Sequence, residues 1–412
     1  MVPARSFTIY ILTIVILYIY IFNPVFINLG FGLNNVLLLV AGVYCLLNRS
    51  IFMRDLKLYR KEMALILIMI VYLFVITLSG GGYYKGVTAL FGYFTTLLFL
   101  PIFLVHTLLI NVKDKGFFNI IIHVGLIAAF ISITCFLLPD FNLFIRSIQT
   151  DVEMESVDDL GLSMLRSFGL GGNLTSAYGY MMGLLSAFCL LKMPEVKKWY
   201  YLIYSLLFLI AAIINARTSV FPFLFSLVFL LLKSLKTLSI KFIAIVGLII
   251  AALGYGLFSY LERNNPEMFD YLYTFIDFFS SYENLEDSAY SSMWFFPETV
   301  QGVVFGEGRS VFGADNELNM SSDIGFVRNI YLGGLFFLFL LFNEQFIQYK
   351  NMYERSNKEL FVIILALSVI VFHYKGSLCY ITTAVSRFVM LYYFVLVFNK
   401  RSKNQEIVLF KS

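Results

Sequence analysis

Charged residues are scarce in this chain. Only 14% of its 412 residues are Asp, Glu, Lys or Arg, while 60% are hydrophobic, and mean hydropathy is +0.83. A soluble globular protein does not have this balance; a polytopic membrane protein does. No basic tract is dense enough to track a nucleic-acid backbone, which excludes that partner. The four cysteines, Cys45, Cys135, Cys189 and Cys379, fit neither a disulfide framework nor a metal site by spacing, and three lie in apolar runs. His-Glu-x-x-His and Asp-x-Asp patterns are missing, so no metal and no cofactor is expected. Internal repeats, Pro-rich linkers and low-complexity stretches are also absent, and the lack of a repeat weighs against a transporter. Arg5 precedes a long apolar run with no small-residue cleavage site behind it, so that run is expected to stay on the protein.

What remains is a succession of apolar stretches. Twelve are expected to span a membrane, at about 7–25, 29–47, 63–79, 87–110, 118–138, 176–192, 199–215, 218–232, 242–260, 326–343, 360–374 and 383–399. Helices are the form expected, because an isolated strand leaves its backbone unsatisfied in lipid. The whole chain, 1–412, is then one all-α integral membrane domain. Two long loops fall on the same side, 139–175 and 261–325. Within the second, Glu267, Asp270 and Asp277 share one helical face, and Met268, Leu272, Phe275, Ile276 and Phe279 the opposite one. That periodicity predicts an amphipathic helix lying on the leaflet or on the protein.

The charges test this arrangement. With both termini in the cytoplasm, the inner segments carry 21 of the 30 Lys and Arg against 8 acids, a net of +13. The outer segments carry 9 cations against 18 acids, a net of −9. Positive charge is thus retained inside, as membrane topology requires. Seven of the nine outer cations are Arg: Arg146, Arg166, Arg217, Arg263, Arg309, Arg328 and Arg387. Guanidinium groups on the face where cations are rare point to an anion with several oxygens, such as a phosphate or diphosphate.

Three of these Arg residues lie deepest. Arg217 sits at the tip of the hairpin Asn215-Ala216-Arg217-Thr218-Ser219, between short spans. Arg387 lies twelve residues from the inner end of the last span, roughly 18 Å up from the cytoplasmic boundary, and an Arg at that depth is expected to face a polar cavity. Arg328 lies in the first turns of the tenth span, after Ser321-Ser322-Asp323, which are expected to cap that helix. A helix start beside an Arg favours an anion. Arg166 opens the Gly-rich stretch to Asn173, and Arg309 belongs to the second long loop. Arg146 and Arg263 read better as interfacial anchors. Asp323, Glu298, Glu307 and His373 are candidate bases on the outer side, and an imidazole is neutral enough near pH 7 to take a proton. His106 and His123 read as structural.

An ordered set of these segments resembles a family. Arg166 to Asn173 resembles the Arg-x-x-Gly…Asn stretch that ends the first large loop of Wzy-type O-antigen polymerases. Asn215-Ala216-Arg217-Thr218 resembles their Arg-containing outer hairpin. Gly306-Glu307-Gly308 with Ser322-Asp323-Ile324-Gly325 resembles their Gly-x-Gly…Ser-Asp-x-Gly segment. Leu174 stands where the family often has Pro, and Ser219 where it often has Gly. The resemblance covers the whole chain. It implies a GT-C-like glycosyltransferase in the bacterial inner membrane, with its active site facing the periplasm and undecaprenyl-diphosphate-linked oligosaccharides as donor and acceptor. On that reading Arg217, Arg328 and Arg387 hold the diphosphate, with Arg166, Arg309 and Asn173 assisting. Asp323 or His373 activates the acceptor hydroxyl. Aromatic side chains including Tyr271 and Trp294 stack on sugars. Membrane lipid and a chain-length regulator are the implied neighbours. The O-antigen ligase, which hands glycan to lipid A–core, shares the architecture and is the nearest alternative; a flippase is the alternative of another class.

Overall fold

The apolar runs become helices in the computed structural model, which describes residues 4–26, 32–80, 82–109, 112, 114–149, 169–171, 175–234, 293–311, 322, 324–375 and 383–409, and a few single positions within 247–269. In order these are α1 (Ala4–Phe22), α2 (Leu33–Leu47), α3 (Arg49–Leu56), α4 (Arg60–Ser79), α5 (Tyr84–Leu109), α6 (Asp114–Leu137), α7 (Pro139–Ser147), α8 (Thr175–Val196), α9 (Tyr200–Asn215), a 3₁₀ turn (Arg217–Val220), α10 (Phe221–Ser234), α11 (Val300–Phe305), α12 (Gly325–Arg355), α13 (Glu359–Lys375) and α14 (Ala384–Leu409). Among the described residues there is no strand, only two isolated bridges. The fold is an all-helical one of membrane type. Four helices, Arg60–Ser79, Tyr84–Leu109, Gly116–Leu137 and Gly325–Arg355, are long and apolar enough to cross a membrane, and six shorter apolar helices accompany them.

Helices occupy eleven of the twelve expected segments; the ninth, 242–260, falls almost wholly outside the described residues, as does the amphipathic pattern over 267–279. Three boundaries differ from expectation. The tenth segment runs on to Arg355 and the last to Leu409, because the polar residues beyond the apolar window still favour helix. The loop expected from Pro139 opens with α7, where Pro stands in the first turn, Asp140 follows it and Arg146 lies in the last turn. Each charge suits its end of the helix dipole.

Burial sorts the helices into two layers. Residues 177–193 of α8 and most of 384–397 in α14 are buried on every side, as expected of helices with uniformly apolar faces at the centre of a bundle. The outer helices expose large apolar side chains, among them Leu46, Leu47, Val71, Phe130 and Phe339. An apolar exterior around a partly polar interior is the arrangement that lipid favours over water. Asn34, an unusual residue inside an apolar run, is buried and tied to the end of α1: its Nδ2 donates to the Tyr20 carbonyl at 2.9 Å, and its backbone N–H to Asn23 Oδ1 at 3.0 Å. Cys45, Cys135 and Cys189 are buried free thiols, in keeping with their role as small hydrophobes; Cys379 is outside the described residues.

Two glycine features shape the site. Gly179 and Gly183 face the α9–α10 turn: a Cβ on the first would stand 2.9 Å from that of Ala216, and one on the second would overlap the Ser219 carbonyl oxygen. Small residues four apart thus let the turn bearing Arg217 sit directly on α8. The second feature is a break in α12 at Gly334, where φ is 70° and ψ −174°. Glycine adopts that conformation without strain. Into the break fits the loop after α11. Glu307 N–H donates to the Tyr331 carbonyl at 2.8 Å, and Tyr72 Oη donates to the Phe305 and Gly333 carbonyls at 2.8 and 3.0 Å. The carbonyl groups released by the break therefore find donors, which a helix interrupted in lipid requires.

Candidate functional site

The 3₁₀ turn carrying Arg217 is held from two sides. Below it, the α8 glycines accept Ala216 and Ser219. Thr218 Oγ1 donates to Tyr180 Oη at 3.0 Å, and the Ser219 hydroxyl donates to the Ala212 carbonyl at 2.8 Å. Beside it, the turn packs against α13. Tyr180 completes that link by stacking on Phe372 of α13, with ring centroids 3.9 Å apart and planes 10° apart. The next residue is His373.

His373 is fully buried. Asn329 Nδ2 donates to its Nε2 at 2.9 Å, an arrangement that puts the ring proton on Nδ1. Nδ1 itself has no hydrogen-bond partner among the described residues. Phe326 and Phe342 stand edge-on to the ring, with centroids 5.0 and 5.6 Å away. Arg328, half-buried and one residue from Asn329, lies close enough to act on the imidazole electrostatically. The structure thus gathers the Arg217 turn, Arg328 and His373 at one end of α8, α12 and α13. It gives the imidazole one nitrogen fixed by Asn329 and one without a hydrogen-bond partner among the described residues.

The other candidates are disposed differently. Arg387 is 3% exposed. Its Nη1 donates to the Ile21 carbonyl at 3.1 Å, in the last turn of α1. Tyr20 Oη donates to Arg387's own carbonyl at 3.4 Å. A cation at a helix C-terminus satisfies an orphan carbonyl and opposes the negative end of the dipole, so the contacts of Arg387 join α14 to α1. Arg309 is exposed and 3.9 Å from Glu307 in an ion pair. Trp294 is 41% exposed and packs against Tyr374, the neighbour of His373, at 5.7 Å. That leaves part of an aromatic surface open at the C-terminal end of α13. The expected cap of α12 is shifted. The helix begins at Gly325 with Ile324 as its N-cap and no side-chain cap, while Ser322 Oγ accepts the Ile324 N–H at 3.2 Å just ahead of it. Asp323, Arg166, Asn173 and Tyr271 lie outside the described residues. His123 and His106 behave as structural groups: His123 Nδ1 lies 2.9 Å from Tyr10 Oη, and His106 stands edge-on to Phe398.

Sequence reasoning did not single out Gly179, Gly183, Tyr180 or Asn329. The glycines did carry a signal, the Gly-x-x-x-Gly pattern Gly179-Tyr180-Met181-Met182-Gly183. Among the described residues no group of three His, Cys, Asp or Glu is arranged to hold a metal ion. Comparison with models of known protein families finds no match to this chain, and comparison with curated proteins finds none.

Proposed function

We propose that this chain is an inner-membrane glycosyltransferase that joins undecaprenyl-diphosphate-linked oligosaccharide units into an O-antigen or capsular polysaccharide. In this reading it crosses the membrane twelve times, both termini are cytoplasmic, and the site faces the periplasm. The observation that supports it is the meeting of the Arg217 turn, Arg328 and His373, three segments far apart in sequence, at one end of the bundle. The cation count of the outer segments and the ordered motifs around Arg166, Arg217 and Gly306–Gly325 point the same way.

The reaction is a displacement at the anomeric carbon of the growing chain. A sugar hydroxyl of the incoming unit forms the new C–O bond, the bond to the lipid diphosphate breaks, and the diphosphate departs with the electron pair. Arg217 and Arg328 stabilise the charge gathering on its oxygens, which is where preorganised donors lower a barrier most. The hydroxyl proton passes to Asp323 or to His373. For His373 to accept it at Nδ1, the Asn329 amide turns its oxygen to Nε2, which moves the ring proton there. Trp294 offers a stacking face to a sugar, and the long outer loops hold donor and acceptor together.

A deletion strain tests the reading through its lipopolysaccharide ladder. Loss of a polymerase leaves core capped by a single repeat. Uncapped core, with glycan stranded on its carrier, would identify a ligase. A normal ladder would exclude both and favour a transporter, in which cysteines placed at 217 and 328 react from the cytoplasmic side as readily as from outside.

A further inference from the structure

A second polar cluster lies apart from the Arg-bearing end, inside the bundle of α4, α5, α12, α13 and α14. Its centre is Glu344, a fully buried carboxylate. Gln345 Nε2 donates to its Oε2 at 2.9 Å, Gln348 Nε2 donates to its Oε1, and Tyr93 Oη lies 3.4 Å from both oxygens. Glu62, 3% exposed, adds a second negative charge within electrostatic reach; it accepts from Tyr393 Oη at 2.5 Å and from Asn351 Nδ2 at 3.3 Å. Amides and phenols satisfy hydrogen bonds but bring no positive charge. A buried carboxylate left electrically uncompensated is strongly destabilising.

Two features say what compensates it. Both Glu344 oxygens accept hydrogen bonds, and every one of these donors is neutral. Beside the carboxylate's donors lies a small cavity whose wall is polar on one side, at Tyr93, Gln345, Gln348 and Ser386, and includes valines and Met390. All three donors to Glu344 belong to that wall. Gln348 is fully buried, its amide nitrogen is committed to Glu344, and its Oε1 has no hydrogen-bond partner among the described residues. That oxygen is an acceptor awaiting something positive.

We propose that this cavity binds one small monovalent cation of the Na⁺ class. Gln348 Oε1 and Tyr93 Oη would be its protein ligands, water would fill the remaining positions, and the Glu344 carboxylate immediately behind them would supply the balancing charge. Oxygen donors of this kind suit hard cations. A single charge is indicated because Glu62 is engaged by Tyr393 and Asn351, leaving Glu344, behind the wall, as the one carboxylate held by the wall's own donors.

The test uses the full chain in lipid nanodiscs, with ²²Na⁺ as the probe and choline holding ionic strength constant. Saturable binding of one ion per chain, at least tenfold weaker in E344Q, is the expected result. Q348M keeps the volume and removes Oε1, and should weaken binding severalfold. Wild-type binding no greater than the choline background, across Na⁺, Li⁺ and K⁺, would overturn the proposal. So would binding that E344Q leaves unchanged. Thermal stability of the wild type that follows pH but ignores these cations would assign the site to a proton and overturn it equally.

Discussion

The two polar regions of this bundle are opposite in sign. At one end of α8, α12 and α13, the Arg328 guanidinium and the His373 imidazole lie near aromatic rings, beside the turn that carries Arg217. Inside α4, α5, α12 and α14, carboxylates gather among amides and phenols. Both regions draw on α12, one before its break at Gly334 and one after it. A charged side chain in an apolar setting is costly, so a bundle that keeps two such groups apart, instead of pairing them with each other, keeps each available for something else. The cationic end suits an anion, and the anionic centre suits a cation held within.

The comparison breaks first at the seat of the Arg217 turn. Gly183→Val places side-chain atoms against the Ser219 carbonyl. It is expected to abolish chain growth and to lower stability by about 1–3 kcal/mol or more, read by the glycan ladder and by thermal unfolding in detergent. Next come Arg217→Ala and Arg328→Ala. Each is expected to reduce chain growth by roughly 10²-fold or more with little change in unfolding temperature. Arg217→Lys should also be impaired, since Lys lacks the two-pronged donor set; wild-type ladders from all three would refute the diphosphate site. His373→Gln should cost about 10²–10⁴-fold in rate while the protein remains folded.

Arg387→Ala sharpens the contrast. Removing its contact to the Ile21 carbonyl leaves an acceptor unsatisfied, a loss of about 1–3 kcal/mol in stability. A loss of chain growth at unchanged stability would instead return Arg387 to the reacting groups. Trp294→Ala should have the smallest effect, a few-fold rise in apparent KM for the glycolipid with rate at saturation preserved.

Much of this was legible in the residues. Hydropathy located helices because membrane burial is a property of contiguous stretches. What could not be read was pairing. Asn34 stands in an apolar run, and its partners, the Tyr20 carbonyl and the Asn23 side chain, come from the end of the preceding helix and the residue after it. Arg387 looked like a ligand-binding group by depth, and the carbonyl it meets belongs to a residue 366 positions away. Glu344 drew no notice, since a single acid in an apolar run says nothing of Tyr93 or Glu62. The seat of the Arg217 turn was written locally as Gly179 and Gly183, but its occupants arrive from the next helical hairpin.

The break at Gly334 also has a mechanical consequence. The nine residues Gly325–Gly333 form an arm roughly 13 Å long at 1.5 Å per residue, pivoting on a glycine and riveted at its base by the Tyr72 hydroxyl to the loop that follows α11. Arg328 rides on that arm, as does Asn329. A tug on the segment preceding Gly306 is therefore a torque on the Arg328 guanidinium and on the imidazole's partner together.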